Sequence, residues 1–151
     1  MGFPYPAGGG SCSVPVQVQM TSLGGYCVQM TNGTGSNSIK GTVVRQYASE
    51  DDKFAVCETS NQAKWFGVVA ESGVANGDPC WVVIFGIAEV LLRDTTAAYA
   101  GRFAVASSAT DGRIESNSSA DADESINLGV CVNSVTAGTD KLCKVLLTPA
   151  K

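Results

Sequence analysis

The sequence contains no histidine in 151 residues. That absence removes Ser–His and Cys–His nucleophile pairs, and with them most familiar hydrolytic machinery. Six cysteines stand at 12, 27, 57, 80, 131 and 143, and none form a C-x-x-C pair. With no histidine beside them, the usual zinc and redox motifs are excluded. Charge is also scarce. Charged residues are 16 % of the chain, against 44 % hydrophobic, and the net charge is −4. The ten Lys and Arg are scattered from Lys40 to Lys151 and build no basic stripe. Direct nucleic-acid binding is therefore not expected, because phosphate contacts dominate that kind of affinity.

Long apolar runs are missing as well. The longest, Cys80 to Ala88, is interrupted by Gly86 and ended by Glu89. It is far short of the roughly 18–20 residues a membrane-spanning helix needs. Met1-Gly2-Phe3-Pro4-Tyr5-Pro6 has neither a basic start nor an apolar stretch, so it does not read as a secretion signal. The cysteines lie mostly in apolar stretches. Buried free thiols are expected over a disulfide framework.

What is present is a series of short apolar segments broken by turn signals. Residues 1–13 are rich in Pro, Gly and Ser and read as an extended arm carrying two aromatic anchors, Phe3 and Tyr5. Val16, Val18 and Met20 then alternate with Gln17 and Gln19, the period of a half-buried strand. Residues 14–38 read as additional strands that contact a partner, either as a second contact element or as a strand donated to a neighbour. From residue 39 onward the spacing predicts strands at 42–45, 53–57, 65–70, 80–85, 87–92, 102–106, 113–115, 128–132 and 142–147. A short helix is expected at 95–100, with Asp94 as its cap and Gly101 as its stop. Many short strands at even spacing mean an all-β barrel or sandwich. Gly67 to Ile84 and Gly129 to Leu147 echo one another, each reading as a strand, a polar turn and an apolar strand.

Candidate chemistry is thin. There is no P-loop and no dinucleotide fingerprint. Glu50-Asp51-Asp52 and Asp121-Ala122-Asp123-Glu124 lack the staggered oxygens and sharp glycine of a calcium loop and read as solvated turns. Asn32-Gly33-Thr34 and Asn117-Ser118-Ser119 match the glycosylation sequon and read as bare turns. No catalytic residue, cofactor or metal ligand is nominated, and the chain is not expected to be an enzyme. The aromatics remain. Trp81 is expected in the core. Trp65, beside Asn61-Gln62, is either core or an exposed contact residue, and this patch carries the rival reading of a sugar-binding or adhesive β-domain on a virion fibre or cell surface.

From Ile39 to Leu147 the chain resembles the small β-barrel proteins that decorate, or cement, tailed-phage capsids. The residues that carry the resemblance run in order: Gly67-Val68-Val69, Gly77-Asp78 entering an apolar strand with Gly86, Ala100-Gly101 before Phe103-Ala104-Val105, Asp111-Gly112-Arg113, Leu128-Gly129-Val130 and Lys144-Val145-Leu146-Leu147. The resemblance implies a β-barrel decoration domain over 39–151 and a structural role on the outside of a phage head, assembled in the host bacterial cytoplasm. It implies the major capsid protein as partner, homotrimers at local threefold positions, and neither cofactor nor membrane. The contact residues proposed on this reading are Phe3, Tyr5, Val16, Val18, Met20 and Trp65. The six cysteines and the segment before Ile39 depart from the family pattern.

Overall fold

Pairs of adjacent valines such as Val43-Val44, Val68-Val69 and Val82-Val83 mark strands that must bury both faces, because successive side chains point to opposite sides. The computed structural model, which describes residues 17–119 and 124–148, resolves these pairs into two cores. Val44, Val69 and Val82 pack with Phe54 and Cys80 in one. Val43, Val68 and Val83 face the other, larger core with Trp65, Val90, Leu92, Ile114, Leu128, Val145 and Leu147. Complete burial of an aliphatic side chain of this size stabilises by about 1.5–3 kcal/mol.

Ten strands account for this arrangement among the described residues: β1 (Val18–Met20), β2 (Gly25–Asn32), β3 (Val43–Gln46), β4 (Lys53–Val56), β5 (Trp65–Val69), β6 (Pro79–Leu91), β7 (Phe103–Ala106), β8 (Ile114–Asn117), β9 (Asn127–Cys131) and β10 (Leu142–Leu147). Strands β2, β4, β3, β5 and β6 are neighbours in that order, and β6 pairs back onto β2, which closes a five-stranded barrel. The smaller core fills it, with Met30 contributed by β2. Strands β10, β9, β7 and β8 extend from β6 as an outer sheet, and the larger core lies between that sheet and the barrel.

β6 is the spine. It is 13 residues long. Its first half is barrel wall, and its second half, Gly86–Leu91, pairs with β10. The apolar run interrupted at Gly86 in the sequence continues as one strand, after a bulge at Ile84 in its pairing with β2. Gly86 has φ +82°, and a Cβ there would collide with the Gly24 carbonyl in the β1–β2 turn. Glycine is what lets that turn lie on the strand. The two halves of the sequence echo are the hairpins β5–β6 and β9–β10, both antiparallel.

Asp111-Gly112-Arg113 staples barrel to outer sheet. The Asp111 carboxylate accepts from Thr59 N–H, and Gly112 exchanges backbone bonds with Val43 and Cys57. Arg113 donates to the Leu92 carbonyl and to the carboxylates of Asp94 and Asp140, at 2.9, 2.8 and 2.5 Å.

Three expectations are corrected. No helix forms at 95–100. The Asp94 carboxylate is taken by Arg113 and by Asp140 N–H, Thr95 sits at φ +64°, and Ala98 bridges to Val135. The helical turns described are 3₁₀ segments at Thr59–Lys64 and Glu124–Ile126. β1 is not half-buried, since Gln17 to Gln19 and Met20 are all exposed. Nor does the described part of residues 14–38 stand apart from the barrel. Within that segment β2 is a barrel wall paired with β6 over Gly25–Thr31, and β1 pairs with its own β2.

Candidate contact surface

A row of apolar side chains crosses the outer face of the sheet, turned away from the larger core. Met20 in β1 pairs with Tyr26 in β2, and Tyr26 pairs with Phe85 in β6. Two residues along β6, Ile87 pairs with Leu146 of β10, Leu146 with Val130 of β9, and Val130 with Phe103 of β7. Met20, Tyr26, Phe85 and Leu146 are 63, 45, 53 and 45 % exposed, and Ile87, Val130 and Phe103 are half-buried. At about 4.8 Å per strand, six strands make a belt roughly 24 Å long.

The sheet geometry places each member. Leu146 lies between Val145 and Leu147, both fully buried, so alternation turns it outward. Phe85 is exposed because of a bulge. Cys27 pairs with Val83, so regular pairing would set Ile84 against Tyr26, but the register shifts there and Phe85 takes the place. No member of the belt is charged. Its flank is polar, where Lys144 pairs with Glu89 across β10 and β6, and Lys40 forms an ion pair with the same Glu89. These groups and Ile87 line a cleft of about 430 Å³ beneath the turn at Thr21 to Leu23. An apolar centre with a polar rim is the common anatomy of a protein–protein contact.

Of the contact residues named from the sequence, Phe3, Tyr5 and Val16 lie outside the described residues. Val18 and Met20 are at the surface, and Met20 ends the belt. Trp65 is corrected. It is 2 % exposed, packs in the larger core, and its Nε1 donates to the Ser125 carbonyl at 3.0 Å. The patch around it is dismantled too, because Gln62 donates to the Ala106 carbonyl and Asn61 to Glu58. Trp81 is partly buried against the larger core. Sequence reasoning missed Tyr26, Phe85 and Leu146. The runs around Phe85 and Leu146 are apolar at successive positions, so the pattern did not mark which side chains would be exposed.

The remaining polar groups serve structure. Glu50 pairs with Lys53 in a turn, and the Asp52 carbonyl accepts from Thr31 N–H. Asn32 is fully buried and donates to the Ser36 and Val74 carbonyls, while its Oδ1 accepts from Thr34 N–H and Oγ1. That makes its sequon a loop clamp. Arg45 reaches Glu58 at 3.3 Å and leaves its buried Nε without a partner.

Cys27, Cys57, Cys80, Cys131 and Cys143 are free and buried. Desolvation pushes Cys57 up to about 11, and raises Cys27 and Cys80. Cys131 and Cys143 share a hydrogen bond, which lowers Cys131 to about 7 and raises Cys143. Among the described residues no three His, Cys, Asp or Glu side chains converge as a metal site would require. Compared with models of known protein families and with curated proteins, the chain matches none.

Proposed function

We propose that this protein is a structural component of a phage virion that binds the outside of the head shell and stabilises it through protein–protein contacts. The observation that carries the reading is the uncharged apolar belt from Met20 to Phe103, mounted on a closed barrel. Cementing a shell needs no reactive group. It needs a rigid scaffold and apolar area that leaves water on contact, and a specific contact buries of order 1,000 Å² or more in total. The belt supplies the apolar centre, and the Lys40–Glu89–Lys144 flank supplies a rim.

The resemblance from Ile39 to Leu147 gives the partner, the major capsid protein. The barrel architecture agrees with that family in its coarse form. Repetition over many equivalent shell positions would compensate for modest affinity at each one if the decorating copies also touch one another. The rival sugar-binding reading rested on Trp65 with Asn61 and Gln62, and those three side chains are engaged in the fold.

The test is co-sedimentation of the purified chain with cognate heads that lack it. Saturable binding at a fixed number of copies per shell, with heads that then survive heating better, supports the reading. Heads that bind no chain at any ratio contradict it.

A further inference from the structure

We infer that β1 is a self-association edge: a second copy of this chain pairs with it, antiparallel, about a two-fold axis through Gln19. This inference concerns the backbone edge of β1, whose Met20 also ends the belt, and does not depend on the viral reading.

The backbone parity of β1 leads to it. Gln29 N–H donates to the Gln17 carbonyl, and Thr21 N–H donates to the Gly25 carbonyl. Hydrogen-bonded pairs alternate with non-bonded ones in an antiparallel ladder. With the register Val18↔Val28, Gln19↔Cys27 and Met20↔Tyr26, Gln19 turns its N–H and C=O towards β2. Val18 and Met20 turn theirs away. Those four groups lie along the outer edge, where no described residue pairs with them.

Among the described residues β1 is an edge strand with no neighbour anywhere along its outer side. The barrel strands and β9, β10 and β7 have neighbours on both sides. The far edge of the sheet, β8, is partly covered at its first residue, where Leu92 bridges to Ile114 and Arg93 N–H donates to the Ile114 carbonyl. Pairing of β1 with β1 joins like to like and gives a closed two-fold dimer rather than a ring.

Natural edge strands are usually guarded by lysine, proline or a bulge. Val18-Gln19-Met20 has no charge and no proline, and it pairs with β2 without a register shift. It is also self-complementary. With Gln19 opposite Gln19 of the second copy, Val18 stands opposite Met20 in each direction, and each such pair exchanges two backbone bonds. Val18 and Met20, 49 and 63 % exposed, then sit beside their counterparts and join the two belts end to end. A three-residue ladder falls well short of the roughly 800 Å² per partner of a standard interface. The dimer is therefore concentration-dependent.

Two variants of the full chain test this, read by sedimentation and by cross-linking. Val18→Pro removes an N–H that no described residue accepts, and proline is tolerated on the open side of an edge strand. It should leave the fold intact and abolish a concentration-dependent dimer. In a Cys12→Ser background, Gln19→Cys brings two sulfurs together across the axis, where Cα atoms in a non-bonded pair are about 4.5 Å apart, within disulfide reach. Mild oxidation by a disulfide reagent, which takes the two electrons the thiols lose and accepts their protons in its own thiols, should give a covalent dimer from Gln19→Cys. Val18→Cys and Met20→Cys, whose counterparts lie roughly 8 Å away along the ladder, should not cross-link. A chain that stays monomeric at every concentration, an oligomer indifferent to Val18→Pro, or cross-linking equal at all three positions would overturn the inference.

Discussion

Tyr26 and Phe85 face each other across β2 and β6, one step beyond a bulge, and both keep about half of their surface in water. Aromatic cross-strand pairs stabilise a sheet by up to about 1 kcal/mol. Half-exposed, this pair also keeps apolar area that a partner can remove from water. The substitution Phe85→Glu places a charge in the centre of the belt. The expected outcome is a melting temperature within a few degrees of the parent, because exposed substitutions change stability by about 0.5 kcal/mol or less, together with at least a tenfold loss of shell binding in co-sedimentation. A variant that binds as well as the parent would remove the belt from the contact.

Gly129 is the residue that lets β9 and β10 approach. Its φ is +151°, and a Cβ there would overlap the Leu146 carbonyl oxygen. Gly129→Ala should cost about 3 kcal/mol, through backbone strain and overpacking together. A urea midpoint unchanged from the parent would contradict this.

Asn32, itself fully buried, holds the loop after β2 through two donated and two accepted hydrogen bonds. Truncation to alanine takes the Asn32 donor from the Val74 carbonyl and the acceptor from Thr34 N–H. The expected cost is about 2–3 kcal/mol by denaturant unfolding. Expression in a glycosylating host should leave Asn32 unmodified, checked by intact mass.

Stability should fall at alkaline pH, for a definite reason. Burial raises Cys57 from 9.0 to about 11 and raises Cys27 and Cys80, while the hydrogen bond that the Cys143 thiol donates to Cys131 raises Cys143. Groups raised in the folded state contribute stability that is complete below the unfolded value and is lost as pH climbs through the folded one. Cys131, lowered from 9.0 to about 7, acts oppositely between those values and is constant above 9. Above pH 9 only the losses remain, at up to about 1.4 kcal/mol per pH unit for each raised thiol. Urea midpoints should drop between pH 9 and 11, and less steeply in Cys57→Ala. A flat profile would show that these thiols ionise in the fold as freely as in water.

The strands were legible because their apolar periods are strong. Leu142–Leu147 falls where the spacing placed it, and Gly67–Ile84 and Gly129–Leu147 are both hairpins. What misled was context. Asp94 looks like a helix cap until Arg113, nineteen positions on, takes its carboxylate. Trp65 sits among polar neighbours in sequence, yet Ser125 supplies its partner from sixty positions away. The alternation at Val18 and Met20 promised a buried face, but nothing among the described residues covers it. The belt was hidden because its members come from six strands, and only the strand order and the bulge before Phe85 line them up.

The most direct measurement is side-chain footprinting of the protein, free and bound to cognate heads, by hydroxyl-radical labelling. Met20, Tyr26, Phe85 and Leu146 should lose several-fold in labelling on the shell. Tyr99, 50 % exposed, stacked by Arg102 at 4.4 Å and not a member of the belt, should keep its labelling. Belt residues labelled equally in both states, with protection appearing at Tyr99 instead, would contradict the claim that this apolar row is where the protein holds its partner.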